Sequence, residues 1–158
     1  MAKWERRAPC RFTNTVEVQG ALTYKKKVLT KTANYTCTAA DSGAILSVDP
    51  AGTTLIQLPA AASNAGWNIT ITVSEADGGT MDNKVNIGAL TGEFFDGVIW
   101  CSDGGGDSKA NGTSHDFIKV STDSQSGLRF DIHSDGTRMI CNGFAVDASD
   151  TMFADAAG

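Results

Sequence analysis

Residues 32–73 read TANYTCTAADSGAILSVDPAGTTLIQLPAAASNAGWNITITV, and the last seven of them, Trp67–Val73, decide the class of fold. Trp67, Ile69, Ile71 and Val73 fall on one side of an extended chain, with Asn68, Thr70 and Thr72 on the other. Successive strand side chains point to opposite faces, so this period of two marks a strand with one buried and one solvated face. Ala44, Leu46 and Val48 repeat the pattern upstream, and Leu128-Arg129-Phe130-Asp131-Ile132 repeats it downstream.

Short strands with turn signals between them fill the rest. Asp49-Pro50-Ala51-Gly52 reverses the chain into a strand over residues 53–58, which Pro59 ends because it has no ladder donor. Residues 59–66 read as one short helical turn, with Pro at an early position and Gly just past the end. Val85–Ile87, the apolar run Val98–Cys101 (read as a buried strand) and residues 117–121 follow, with a long Gly-rich loop over 102–114. Ser134-Asp135-Gly136 joins the strand at 128–132 to a returning strand at 137–141, an Asp-Gly hairpin. Weaker strand candidates are Val16–Val18, Val28-Leu29 and a sheet edge at 144–146.

The pattern predicts an all-β chain: an antiparallel β-sandwich, jelly-roll-like, with a single-chain barrel as the alternative. Its expected divisions are a basic N-terminal arm (1–31), a sandwich domain (32–147) and a small-residue tail (148–158) carrying Met152 and Phe153. No repeat of 20–50 residues is visible, which speaks against a solenoid.

With 158 residues, 41% of them hydrophobic, the chain can bury a core without staples. Its 17 glycines and 3 prolines suit many turns. No stretch is apolar enough to span a membrane, and the charged start Met-Ala-Lys-Trp-Glu-Arg-Arg does not read as a secretory signal. Cys10, Cys37, Cys101 and Cys141 are widely spaced, and reduced, mostly buried thiols are expected in a cytoplasm-like compartment.

Charge is unevenly spread. Residues 1–31 hold eight basic side chains against two acidic ones, a net of +6, while the other 127 hold five against sixteen, a net of −11. Three readings fit the leader: a solvated tail, an arm lying along an acidic partner surface, or a nucleic-acid contact. An acidic body repels phosphate, which disfavours the last. Trp4 and Phe12 favour the arm, because large apolar side chains and arginines such as Arg6, Arg7 and Arg11 are enriched at interfaces. These five are the candidate partner-binding residues.

Catalytic and metal patterns are sparse. Gly104-Gly105-Gly106 lacks the Gly-Lys of a phosphate loop, and Asp41-Ser42-Gly43 reads as a turn rather than a nucleophile elbow. The segment 103–114 has Ser108 where a calcium loop needs Gly and Ser114 where it needs Glu, which leaves only a weak oxygen set of Asp103, Asp107 and Asp116. His115 and His133 have no matched nucleophile or metal partner in the sequence, and His133 reads as a surface turn residue. No enzyme activity, cofactor or metal is expected.

The phrase Thr38-Ala39-Ala40-Asp41-Ser42-Gly43, followed by an apolar strand, Leu58-Pro59-Ala60-Ala61 and Gly66, resembles one found in tailed-phage virion proteins. It is similar to small head decoration (cement) proteins and to β-rich modules of tail fibres, over about 40 of the 158 residues. The resemblance implies a virion protein made in the host cytoplasm that binds the outside of a capsid, with the major capsid protein and two further copies of itself, a homotrimer, as partners. It implies neither a nucleic-acid nor a membrane partner. A head- or tail-fibre module for host attachment is the main alternative. A carbohydrate-binding module would need a platform of exposed aromatics, for which Trp67 and Trp100 are candidates, and a small hydrolase is the remaining class.

Overall fold

A computed structural model describes residues 25–75, 78–102, 107–146 and 151–155. The candidate contact residues Trp4, Arg6, Arg7, Arg11 and Phe12, the weak strand Val16–Val18, and Cys10 lie outside these residues.

The described residues are all-β, as the alternation requires. Twelve strands form two mixed sheets: β1 (Val28–Lys31), β2 (Tyr35–Thr36), β3 (Ile45–Val48), β4 (Thr54–Gln57), β5 (Asn68–Val73), β6 (Val85–Gly88), β7 (Phe95–Cys101), β8 (Ser108–Asn111), β9 (Phe117–Val120), β10 (Leu128–Ser134), β11 (Met139–Ala145) and β12 (Thr151–Ala154). One sheet has the order β1-β3-β5-β10-β11-β7-β8, the other β12-β9-β6-β4-β2.

Two sheets around one core are compatible with the expected sandwich, but the antiparallel pairing expected throughout is not what forms. From β1 to β6 the chain alternates between the sheets, so each strand lies parallel to the one two places earlier: β1 with β3, β3 with β5, β2 with β4, β4 with β6. Parallel neighbours need a long crossover, and here the crossover is a strand of the opposite sheet. A half-buried strand alternates in the same way whether its neighbour runs with it or against it, which is why the direction could not be read. The winding also left no sequence repeat. Val28 pairs with Ile45 and Ile45 with Thr70, so the two turns of the wind differ in length.

At β5 and β6 the winding stops. β5 is parallel to β3 on one side and antiparallel to β10 on the other, and β6 stands likewise between β4 and β9. β10 returns through the Asp135-Gly136 turn into β11, where the Asp135 carboxylate accepts from Thr137 N and Arg138 N, both at 2.7 Å. The strands expected separately at 137–141 and 144–146 are the single strand β11. β7 joins β11 in parallel.

Four other expectations change. Ser108–Asn111, read as loop, is strand β8, and Thr151–Ala154, read as tail, is strand β12 on β9. Residues 59–66 form successive turns rather than a helical one, closed by Asn64 N to Ala61 O and Trp67 N to Asn64 O. Val28–Lys31, placed in the arm, is an edge strand of the larger sheet.

The sheets share one core. Leu46, Ile71, Phe95, Phe130 and Ile132 come from the larger sheet, and Ile56, Val85, Ile87, Ile118 and Phe153 from the smaller. Phe95 and Phe153 meet across them with ring centroids 5.9 Å apart. Cys37 and Cys141 are buried within this core, and Cys101 is half-buried.

Two glycines permit close backbone packing. Gly143 faces inward, where a Cβ would stand 2.8 Å from the Phe130 ring. Gly97, at φ +132°, is more demanding: a Cβ there would lie 2.0 Å from the Cys141 carbonyl oxygen. L side chains avoid that backbone region, and backbone cannot yield as a flexible side chain can. Gly97→Ala is therefore expected to lower stability by about 3 kcal/mol or more. Gly52→Ala, with open space around its Cβ, should change it by no more than about 0.5 kcal/mol. Urea unfolding midpoints of the two variants check the contrast, and equal midpoints would refute the register at β7.

Candidate functional site

The described residues offer three places where polar or apolar groups gather. The first is the Thr38–Gly43 phrase. Thr38 is followed by a 3-10 turn, Ala39–Asp41, and Asp41 is 3% exposed. Its carboxylate accepts four hydrogen bonds: from Thr38 N (2.9 Å), Thr38 Oγ1 (3.0 Å), Tyr35 OH (2.9 Å) and Lys27 Nζ (3.1 Å). The Thr38 carbonyl in turn accepts from the Trp67 indole N–H at 3.0 Å. The cluster thus ties together the lead into β1, strand β2, the 3-10 turn and the start of β5.

Burial pushes the Asp41 carboxyl up, but the hydrogen bonds from Thr38, Lys27 and Tyr35 outweigh it and hold its pKa at about 2. Every oxygen of that carboxylate is engaged within the chain, so the cluster serves folding and offers no free acid or base.

The second place is a pair of shallow hollows. One, of about 310 Å³, lies between the 3-10 turn and the 59–66 turns, lined by Ala39, Ser42, Asn64 and Trp67 among others. The other, of about 420 Å³, lies between the β1–β2 and β3–β4 connections and is lined by Thr32, Asn34, Gly52 and Thr54. Apart from Trp67, both are walled by small or polar side chains and backbone. The former lies between the Thr38–Gly43 phrase and the 59–66 turns, and those turns are tied to β10, where Ser134 Oγ donates to Ala61 O (3.0 Å) and Gly66 N donates to Ser134 O (2.9 Å).

The third is the outer face of the larger sheet. The register sets Ser47, Thr72, Arg129, Phe144 and Trp100 in one row, and Ile45, Thr70, Asp131, Asn142, Val98 and Lys109 in the next. Trp100 is 56% exposed and Phe144 52%. The run 98–101, read as a buried strand, in fact alternates: Ile99 is buried and Trp100 open. Sequence reasoning did not single out Phe144, which becomes informative only when β11 is set beside β7. Trp67, the other aromatic platform candidate, is 3% exposed and belongs to the core.

Two arginines on this face are paired with aspartates, while Lys109 is exposed. Arg129 grips Asp131 through two bonds of 3.0 Å, and Thr70 Oγ1 donates to Asp131 at 2.7 Å. Burial raises the Asp131 pKa, but these bonds overcome it and leave it lowered. Arg138 Nη1 donates to Asp96 at 2.7 Å. His133 lies on the same face, within strand β10 rather than in a turn.

His115 stands elsewhere, with Nδ1 3.1 Å from Ser114 Oγ and Nε2 3.9 Å from Asp155. Among the described residues no three His, Cys, Asp or Glu side chains are grouped to hold a metal ion. Asp107 accepts from Cys101 N at 3.3 Å, and Asp103 lies outside the described residues. No described helix is long and apolar enough to cross a membrane.

No protein-family model, curated protein or solved structure matches the chain.

Two measurements test the buried groups. The hydrogen bonds hold the Asp41 carboxyl at about 2 in the fold, below the ordinary aspartate value of 3.8. Its stabilisation is therefore fully present above about pH 4 and is lost as pH falls toward 2. Asp41→Asn should cost about 1–3 kcal/mol near neutral pH, and the gap to the parent chain should narrow on acidification. Denaturation curves at both pH values check this, and a gap that widens in acid would be inconsistent with it. Burial, together with the Asp41 charge, pushes the Cys37 thiol up to about 12, and burial raises Cys141 also. At pH 8 both should resist alkylation in the native chain and react in denaturant, as read by peptide mass spectrometry.

Proposed function

We propose that the chain is a virion structural protein that decorates and stabilises the outside of a phage capsid, as a homotrimer held by its N-terminal arm. The observation that carries this reading is the charge division: +6 over residues 1–31 against −11 over the rest, with Trp4 and Phe12 among the arginines. Opposite charge steers an arm onto an acidic shell, and buried aromatics supply the affinity that screened surface charge lacks.

The fold narrows which part of the leader is available. Lys27 is engaged with Asp41, and Lys31 Nζ sits 3.8 Å over the Tyr35 ring. These two lysines serve the body. The reading assigns the contact to Trp4, Arg6, Arg7, Arg11 and Phe12, which precede the edge strand β1 in the sequence. A body of two sheets around one core, with its buried carboxylate engaged in folding contacts, suits a part whose task is to be rigid.

A fibre module for host attachment is the second reading, and one observation favours it: the exposed Trp100 and Phe144 occupy paired positions on β7 and β11, away from the β1 edge.

Capsids assembled without this chain provide the test. The full chain should bind them, more weakly as salt rises, and should scatter light as a trimer in solution or on the shell. Removing residues 1–12 should abolish binding while the far-ultraviolet spectrum stays that of a β protein. Unchanged binding by the truncated chain would sink the arm reading.

A further inference from the structure

Among the described residues the two sheets are tied together along one side and open along the other. β8 and β12, each the last strand of its sheet, are joined where Phe153 N donates to Ser108 Oγ at 3.0 Å. On the opposite side β1 and β2 are the last strands. There Leu29 and Tyr35 pack only half-buried against the core, Tyr35 even with Lys31 Nζ over its ring. Cys37 N donates to Gln57 O beside β4. Successive residues of a strand direct their N–H and C=O to opposite sides, so those of the exposed Thr36 face the free edge. We propose that this edge of β2 is the docking site for the chain's own residues 15–18, Thr-Val-Glu-Val, which add to it as a parallel strand.

The winding says which sheet. From β1 to β6 each strand lies in the sheet opposite to the one before it, so a strand ahead of β1 belongs to the smaller sheet. Each earlier turn of the wind stands one strand further out, β4 outside β6 and β2 outside β4. The next place is therefore beside β2.

Length says which segment. Residues 37–44 join β2 to β3, and residues 58–67 join β4 to β5. Residues 19–27, intermediate in length between those two connections, join Val18 to the start of β1 at Val28. A tether this short holds the segment at an effective concentration of about millimolar. The leader of a neighbouring copy in a micromolar solution does not compete with that.

The residue types fit the two faces. Tyr35 stands level with Ile56, which is buried, and Thr36 with Gln57 on the outer face. In the docked strand Val16 and Val18 take the inward positions beside Tyr35 and Cys37, and Glu17 points to water beside Thr36. β-branched residues suit such a half-buried surface. An open edge is also a template for unwanted pairing, and the chain's own segment covers it.

The inference stands apart from the capsid reading, because it uses residues 15–18 and leaves residues 1–12 for the shell. Amide exchange followed by NMR on the full chain tests it. The Thr36 amide is expected to exchange about tenfold more slowly than in a chain lacking residues 1–19. Val16→Asp and Val18→Asp should remove that protection, whereas Glu17→Lys and removal of residues 1–12 should keep it. Amides of β5 and β10 should stay protected in every variant, which separates lost docking from a lost fold. Glu17→Cys combined with Thr36→Cys should form a disulfide within one chain, since paired strands lie within reach of that bond. Mass spectrometry of mixed isotopically light and heavy chains reads it. Equal Thr36 exchange with and without residues 1–19 would overturn the proposal. Protection that survives Val16→Asp and Val18→Asp, or that is lost in Glu17→Lys or on removal of residues 1–12, would do the same. A disulfide joining light to heavy chains would also overturn it, and would assign the edge to a neighbouring copy.

Discussion

The carboxylate of Asp41 is the contact on which the winding depends. A buried charge is tolerated only where hydrogen bonds replace its hydration, and here four donors from Lys27, Tyr35 and Thr38 do so. Those donors come from before β1, from β2 and from the turn ahead of β3. One side chain thereby fixes the order in which the chain changes sheets. The Trp67 indole, bonded to the Thr38 carbonyl, extends the same cluster to β5. The Thr38–Gly43 phrase is thus a folding device in this chain, which explains why so many of its residues are small, turn-forming or buried.

From that anchored end the two sheets grow by different means. The early strands add in parallel by winding, and the later ones add antiparallel by hairpin and return. β5 and β6 carry both kinds of neighbour. Residues such as Ile69 and Ile71 therefore sit in an interior strand of the larger sheet, flanked on both sides, and belong to the core. Gly97 and Gly143 let β7, β11 and the Phe130 ring approach closely enough to complete it.

The outer face of the larger sheet shows a division of labour along its rows. Toward β1 it presents Ser47, Thr70 and Thr72, toward β8 it presents Phe144 and Trp100, and the Arg129–Asp131 pair stands between. Inward positions answer to packing and are apolar almost throughout. Outward positions are free of that demand. The edge strand β1 and the pair Trp100 and Phe144 lie toward opposite edges of the sheet.

By itself the sequence determined that the described chain is all-β, where its strongest strands lie, and which side chains face inward. Trp67–Val73 and Leu128–Ile132 announced their buried faces because strand geometry imposes a period of two whatever the neighbours are. The Asp135-Gly136 hairpin was legible for a similar reason, since turn chemistry is local. Strand direction was not, because parallel and antiparallel neighbours leave the same alternation on a half-solvated sheet, and unequal turns of the wind erase any repeat. Ser108–Asn111 and Thr151–Ala154 are strands chiefly because an edge was available to pair with, a cause that lies far away in the chain. The pair Trp100 and Phe144 was hidden for the same reason. The two are 44 residues apart, and only the pairing of β7 with β11 brings them to paired positions.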